Sequence, residues 1–116
     1  QRSTAKDLAV LMKVFMRNEL LASIVGTKTA SINDITGTSS LDLTNTHQLL
    51  GADPSVVGGK TGTTQGASQV LITQFNRNNR TIIVVVMGSD DRYLETTRLV
   101  NWVFDSYQWV AVGDLL

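Results

Sequence analysis

The sequence contains no cysteine, one proline and one histidine among its 116 residues. The absence of cysteine excludes disulfide bridges and thiolate metal sites, and it leaves the cellular compartment open. The single histidine, His47, argues against a histidine-rich metal centre. We place His47 in a loop and give it no catalytic role. Lys plus Arg and Asp plus Glu number 10 each, so no net positive field is available to attract nucleic acid or anionic lipid.

Long apolar runs are also missing, because no stretch approaches the roughly 20 apolar residues of a membrane-spanning helix. With 116 residues and 42% apolar content, the chain is expected to bury a core as one domain, or as part of a larger one. Residues 1–7 resemble neither a signal peptide nor an initiator region. We therefore expect the sequence to be a piece of a longer protein.

Helical periodicity is present near both ends of the sequence. Thr4 and Asp7 match a capping box before apolar residues at helical spacing, which predicts an amphipathic helix over about residues 4–18. A second apolar stripe predicts a last helix over about residues 92–107.

The intervening region divides into an ambiguous part and a part rich in β-strand residues. Residues 22–40 are hard to assign beyond a short strand near 28–33, and residues 41–54 are predicted to be irregular. Three apolar, β-branched runs then predict successive strands over residues 56–62, 67–75 and 80–88.

The last two strands are predicted to form a hairpin around the polar segment 76–79. Because residues 82–87 are continuously apolar, the third strand is predicted to be central and covered on both faces. The predicted fold class is α+β: an antiparallel sheet of three main strands, flanked by N- and C-terminal helices.

The triplet Lys60-Thr61-Gly62 at the end of the first strand run is the most informative feature. A lysine ammonium there would favour an anionic substrate and assist proton movement. Thr61 and Thr63 are two apart on a strand, so both hydroxyls could reach one carboxylate. Gly62 would leave room for a substrate against the strand. The plainer alternative is a surface lysine on a threonine-rich strand end, with Gly58 and Gly59 marking a bulge.

The segments around the triplet carry a resemblance that covers nearly the whole chain. In order, they are residues 3–11, 45–51, 58–64, 80–88, 92–95 and 99–104. Together they resemble the C-terminal part of the catalytic domain of serine D-alanyl-D-alanine carboxypeptidases, the low-molecular-weight penicillin-binding proteins. This resemblance implies that residues 1–116 are a partial β-lactamase/transpeptidase-like domain, lacking the N-terminal portion that carries the nucleophilic serine.

The resemblance also implies a reaction and a set of site residues. The parent enzyme would trim peptidoglycan stem peptides through an acyl-serine intermediate, outside the cytoplasmic membrane, with β-lactams as inhibitors and without metal or cofactor. Lys60 would be catalytic, while Thr61, Gly62, Thr63 and Arg92 would bind substrate. The backbone N–H of Thr63 would complete the oxyanion hole. The fragment alone is predicted to be inactive, and an exposed sheet edge left by missing strands could support a dimer.

Two further motif matches are rejected as chance. Ser3-x-x-Lys6 and Ser31-x-Asn33 have the pattern of the family's other motifs, but such short patterns often arise by chance. The 27 positions between Lys6 and Asn33 are also too few for the helical lobe that carries the second motif. Ser3 is interpreted as part of a helix start.

The sequence also contains patterns typical of other functional classes. Gly59-Lys60-Thr61 resembles the end of a phosphate-binding loop, but residue 54, where that motif needs glycine, is proline, and the following segment is strand-like. A serine β-lactamase of the same fold remains open, as does a non-catalytic homologue that binds cell-wall peptides. Arg92 and Glu95 could also form only a solvated pair.

Overall fold

The structure, a computed structural model, describes residues 2–111. Its elements are α1 (Ala5–Phe15), α2 (Glu19–Gly26), β1 (Thr29–Asn33), β2 (Ser40–Thr44), β3 (Val56–Thr64), β4 (Ser68–Arg77), β5 (Arg80–Ser89) and α3 (Arg92–Ser106). The strands form an antiparallel β1–β2 hairpin and an antiparallel three-stranded sheet in the order β3-β4-β5. The predicted α+β class and the three-stranded meander between helices are confirmed.

The predicted first helix corresponds to α1, which ends earlier than expected and is followed by a second helix, α2. Thr4 caps α1, since its hydroxyl accepts a hydrogen bond from the backbone N–H of Asp7 at 3.1 Å. Asn18 then caps α2 by accepting from the backbone N–H of Leu21 at 3.1 Å. An asparagine that satisfies a free N–H in this way starts a new helix, so the helix predicted over residues 4–18 is too long. Helix α2 was missed because its β-branched and small residues suit helix and strand alike.

Strand β2 corrects the prediction of irregular structure over residues 41–54. It pairs with β1 in a regular register, with Ala30 opposite Leu43 and Ile32 opposite Leu41. Every residue of both strands is exposed. The hairpin therefore lacks the buried, alternating face by which a strand is recognised in a sequence.

A two-residue turn joins β4 to β5. Asn78 and Asn79 have φ values of +52° and +58°, the left-handed conformation of a type I′ hairpin turn, which matches the twist of the strands. The observed loop is shorter than the predicted segment 76–79, because Arg77 pairs with Arg80 in the ladder.

The core lies between the sheet and α3. Its buried members are Leu50, Val56, Phe75, Val84, Val86 and Val100. Helix α1 packs against the other face of β4 and β5, beside Gln74 and Ile83. Strand β5 is thus covered on both faces as predicted, but it lies at the edge of the sheet in the described residues and β4 is central. Within residues 2–111 the third strand therefore does not have the predicted central position, since an apolar run reflects two covered faces and not the number of strand neighbours.

Arg77 connects the loop before β3 to β4 and α3 through an ion pair and hydrogen bonds. Arg77 pairs with Asp53 at 3.1 Å and donates to Ser55 Oγ at 3.0 Å and to Asn101 Oδ1 at 2.8 Å. Burial alone would raise the pKa of Asp53, but hydrogen bonds from Ser55 and Arg77 outweigh it and lower that pKa. The carboxylate therefore stays charged and fixes the point at which β3 begins. Across residues 2–111, no helix is both long enough and apolar enough to cross a membrane.

Candidate functional site

The candidate site is the edge of β3 that pairs with no other strand within residues 2–111. Its ladder with β4 is regular from Gly58 to Thr64, after a register shift between Val56 and Gly58. The bulge considered in the plainer interpretation is therefore present, but it precedes Lys60. Because side chains alternate along a strand, Thr61 and Thr63 share one face, and Lys60 lies on the other. An edge strand also turns every second backbone N–H away from its only partner, which leaves donors for a ligand.

Lys60 is exposed and borders an open groove of about 540 Å³ beside β3. Its ammonium donates to the backbone carbonyl of Thr61. The opposite wall of the groove is formed by α2 and the β1–β2 hairpin, including the apolar side chains of Ile24, Ala30 and Leu43. An extended ligand could lie in this groove with the ammonium at its side.

The two threonine hydroxyls are held by different parts of the chain. Thr61 Oγ1 lies 2.7 Å from Thr46 Oγ1. Arg92 Nη1 donates to Thr63 Oγ1 and to the carbonyl of Gly62, both at 3.0 Å. The structure therefore brings Arg92 to the strand, and its predicted role as a carboxylate anchor stays a prediction. The alternative in which Arg92 pairs with Glu95 is wrong, since these two described residues form no ion pair.

The first turn of α3 explains how Arg92 reaches β3. Asp91 caps the helix by accepting from the backbone N–H of Leu94 at 3.0 Å. The guanidinium carbon of Arg92 lies 5.2 Å from the ring centroid of Tyr93, and Tyr93 donates its own hydroxyl to the carbonyl of Thr46 at 3.0 Å. The first turn of α3 thus contacts both β3, through Arg92, and the loop at Thr46, through Tyr93.

Two glycines of the strand have different roles. A Cβ on Gly59 would lie 2.4 Å from the carbonyl oxygen of Ile72 and 2.5 Å from His47 Cδ2, so only glycine fits. A Cβ on Gly62 would meet only Val70 Cβ, at an ordinary 3.7 Å. Packing within the chain therefore requires Gly59 but not Gly62, which leaves the space at Gly62 available to a ligand.

His47 is a residue whose importance the sequence did not reveal. It lies in a loop as predicted, but its side chain is completely buried beneath β3. Its Nε2 atom lies 2.8 Å from Thr73 Oγ1. Burial lowers the pKa of His47 to about 4, and the positive charges of Lys28 and Arg92 act in the same direction. No periodic pattern surrounds His47 in the sequence, so no local signal could have shown that it is buried.

The buried imidazole makes stability depend on pH. Between pH 6.5 and 5 the unfolded chain binds a proton at His47 that the folded chain does not, so stability falls as pH falls. We expect a loss of about 1.6 kcal/mol in the free energy of unfolding over this range, because the unfolded imidazole is only half protonated at pH 6.5 and the full slope of about 1.36 kcal/mol per pH unit is reached below that pH. Urea unfolding at several pH values measures this loss.

A His47→Gln variant is the control for that slope, because the sequence has no other histidine. Its stability should change much less between pH 6.5 and 5. NMR titration of the His47 ring in the unaltered protein gives a second reading that does not depend on the variant folding. An ordinary pKa near 6.5 would contradict the prediction.

The rejected motif matches lie apart from the groove. Ser3 is exposed and precedes the capping residue Thr4, so it belongs to the helix start without being the cap itself. Ser31 lies on exposed β1, where its hydroxyl bonds to Asp42. Neither serine lines the groove beside Lys60. Lys60 and Thr61 are followed by more strand rather than by a helix, which agrees with the rejection of a phosphate-binding loop.

Comparison with known proteins gives a consistent set of relatives. Residues 1–91 match the family described as D-alanyl-D-alanine carboxypeptidase. A D-alanyl-D-alanine carboxypeptidase of Mycobacterium tuberculosis is 28% identical over 119 residues, covering 97% of this chain and 40% of the relative. One of Bacillus subtilis is 28% identical over 109 residues, covering 91% of this chain and 28% of the relative.

Solved structures agree with the sequence relatives. The crystal structure of a Streptomyces DD-transpeptidase superposes with a TM-score of 0.82 at 27% identity, covering 89% of this chain and 42% of that one. A carboxypeptidase structure from Mycobacterium tuberculosis gives 0.80 at 28% identity, covering 95% and 43%. The chain therefore spans less than half the length of these relatives.

These structural neighbours show that the chain has part of the penicillin-binding protein fold. The family match extends over most of the sequence and includes the whole of β3, β4 and β5. The chain belongs to the D-alanyl-D-alanine carboxypeptidase family.

Proposed function

We propose that this chain forms the substrate-binding wall of a serine-type D-Ala-D-Ala carboxypeptidase, which removes the terminal D-Ala from peptidoglycan stem peptides. The observation that carries the proposal is the β3 edge, where Lys60 and Thr61 border the groove and Arg92 contacts Thr63. A peptide that ends in a free carboxylate is bound well by a guanidinium and hydroxyl donors next to an ammonium. The apolar opposite wall suits the aliphatic part of such a peptide.

In the proposed reaction, a serine outside this chain attacks the carbonyl carbon of the penultimate D-Ala. The backbone N–H of Thr63 stabilises the negative oxygen that forms, and Lys60 stabilises charge and helps to move the serine proton toward the leaving amine. The C–N bond breaks, D-Ala leaves, and water then hydrolyses the acyl ester. The hydroxyls of Thr61 and Thr63, together with Arg92, hold the terminal carboxylate. A β-lactam would acylate the same serine.

We propose that the rest of the catalytic domain covers apolar faces that the described residues leave open. On α1 and α2 these exposed side chains are Val10, Leu11, Val14 and Leu20, each at least 56% exposed. Several large apolar side chains exposed on neighbouring helices are typical of an interaction surface. The free edge of β5 would accept further strands of the same domain. Pairing of that edge with a second copy of the chain is the alternative, and light scattering during size exclusion separates the two by mass.

The proposed substrate also sets the location. Peptidoglycan lies outside the cytoplasmic membrane, so we propose that the protein works on the outer face of that membrane, in the periplasm or on the wall side. Neither nucleic acid nor a cofactor has a part in the proposed reaction.

The test is the intact mass of the protein that contains this chain after incubation with benzylpenicillin, run beside the chain alone. We expect one stable covalent adduct on the longer protein and none on the chain alone. An adduct on Ser3 of the chain would overturn the assignment of the nucleophile. Rapid loss of the adduct with release of hydrolysed penicillin would indicate a β-lactamase. No adduct on either protein would indicate a non-catalytic binding homologue.

A further inference from the structure

A second hydroxyl lies beside the substrate-binding threonine of β3. Thr46 Oγ1 is 2.7 Å from Thr61 Oγ1, although the two residues are 15 positions apart in the sequence. Both border the groove that contains Lys60. The exposed side chain of Thr46 comes from the loop between β2 and β3, so the contact joins two separate walls of the site.

The backbone of this loop is fixed without help from the Thr46 hydroxyl. Lys28 Nζ donates to the carbonyls of Asn45 and His47, both at 3.1 Å. The hydroxyl of Tyr93 donates to the carbonyl of Thr46 at 3.0 Å and accepts from the backbone N–H of Gln48 at 3.3 Å. Loss of the Thr46 hydroxyl should therefore leave the loop in place.

The Thr46–Thr61 contact can have either hydroxyl as the donor. A hydroxyl has one proton to donate and can accept two hydrogen bonds, so only one member of the pair donates to the other. If Thr46 donates, the rotamer of Thr61 is fixed and its proton remains free for an anionic ligand. If Thr61 donates instead, its proton is occupied and it cannot bind a carboxylate in that state.

We propose that Thr46 is a positioning residue, whose hydroxyl donates to Thr61 Oγ1 and so directs the Thr61 proton toward the substrate carboxylate. This inference rests on the proposed function, because it concerns how the same site receives a peptide that ends in D-Ala. Ordering a donor before the ligand arrives reduces the entropic cost of binding. The effect should therefore appear in KM more than in kcat.

The test compares Thr46→Val, which keeps the shape and removes the hydroxyl, with Thr46→Ser, which keeps the hydroxyl. In the full protein, Thr46→Val should raise KM for a D-Ala-D-Ala peptide about 5-fold, the usual effect of one neutral hydrogen bond, and change kcat less than about twofold. Thr46→Ser should restore KM. Thr81→Val, at an exposed threonine of β5, is the matched control and should change neither constant.

A double-mutant cycle with Thr61→Val separates positioning from an independent role. If Thr46 acts through Thr61, the double variant should be no worse than Thr61→Val alone. Additive losses, or an unchanged KM in Thr46→Val, would overturn the proposal.

The side-chain rotamer of Thr61 gives a reading that needs no activity. NMR couplings should show one χ1 rotamer in the unaltered protein and averaging in Thr46→Val. A rotamer that stays fixed in Thr46→Val would also overturn the proposal. If the unaltered protein forms no benzylpenicillin adduct but Thr61 is fixed only when Thr46 is present, then the proposed function fails and the Thr46 contact stands.

Discussion

Replacing Lys60 with methionine is expected to slow acylation by benzylpenicillin and release of D-Ala by about 100- to 1,000-fold in the protein that contains this chain. Methionine keeps an unbranched side chain, one atom shorter than that of lysine, but removes the charge and the ammonium protons. Without the exposed ammonium at the groove, the developing negative charge would lose a stabilising partner. The serine proton would also lose the group that helps it to leave. Loss of a positioned proton-transfer group usually has an effect of this size.

Stopped-flow acylation and D-Ala release measure the Lys60 prediction directly. Lys13→Met is the matched control, because Lys13 is an exposed lysine of α1, and both rates should then remain within about twofold of the unaltered protein, as for most surface changes. Circular dichroism should show the same fold for both variants. A Lys60→Met enzyme that keeps more than a fifth of its activity would show that Lys60 is an ordinary strand lysine.

The second large effect is expected on stability, from Gly59→Ala. The new methyl carbon would lie 2.4 Å from the carbonyl oxygen of Ile72 and 2.5 Å from the buried ring of His47. Neither neighbour can move easily, since one belongs to the central strand and the other is completely buried. We expect the free energy of unfolding to fall by about 3 kcal/mol, at the upper end for overpacking a core. Urea unfolding measures it.

Gly66→Ala is the control for stability, and Gly62→Ala tests the effect of a methyl group on substrate binding. A Cβ on Gly62 makes only an ordinary contact and one on Gly66 makes none within 4 Å, so both variants should fold normally. Gly62→Ala should nevertheless reduce kcat/KM for a D-Ala-D-Ala peptide at least about 10-fold, since its methyl group would displace the substrate from the strand. Equal stability of the Gly59→Ala and Gly66→Ala variants would contradict the packing argument.

The elements that the sequence predicted well are those whose local pattern agrees with their burial. Strands β3 to β5 combine β-branched residues with clear turns, and α3 has an apolar stripe. Helix α2 and strand β2 were missed for different reasons: the residues of α2 also suit a strand, and those of β2 are fully exposed. A propensity alone decides neither case.

The candidate site also contains features that the sequence predicts and features that it does not. Lys60, Thr61 and Gly62 are adjacent, so their pattern is visible in the sequence. The contact of Thr46 with Thr61 spans 15 positions, and that of His47 with Thr73 spans 26. Such pairs are created by the way the loop packs against the sheet, which no local spacing encodes. Arg92 was predicted through the family resemblance, and the atoms it bonds became known only from the structure.

The alternation of β3 has a consequence for how this segment can change during evolution. Lys60 faces one side of the strand and Thr61 the other, so a slip of one residue against β4 would exchange the two faces. The irregularity at Val57 lies just before the regular ladder and sets the register of β3 against β4. A substitution in β3 therefore changes one side chain and leaves the register intact. A one-residue insertion or deletion between Gly58 and Thr63 would instead move the proposed site residues of the strand to the opposite face. The turn after Thr64 is where a change in length can be accommodated.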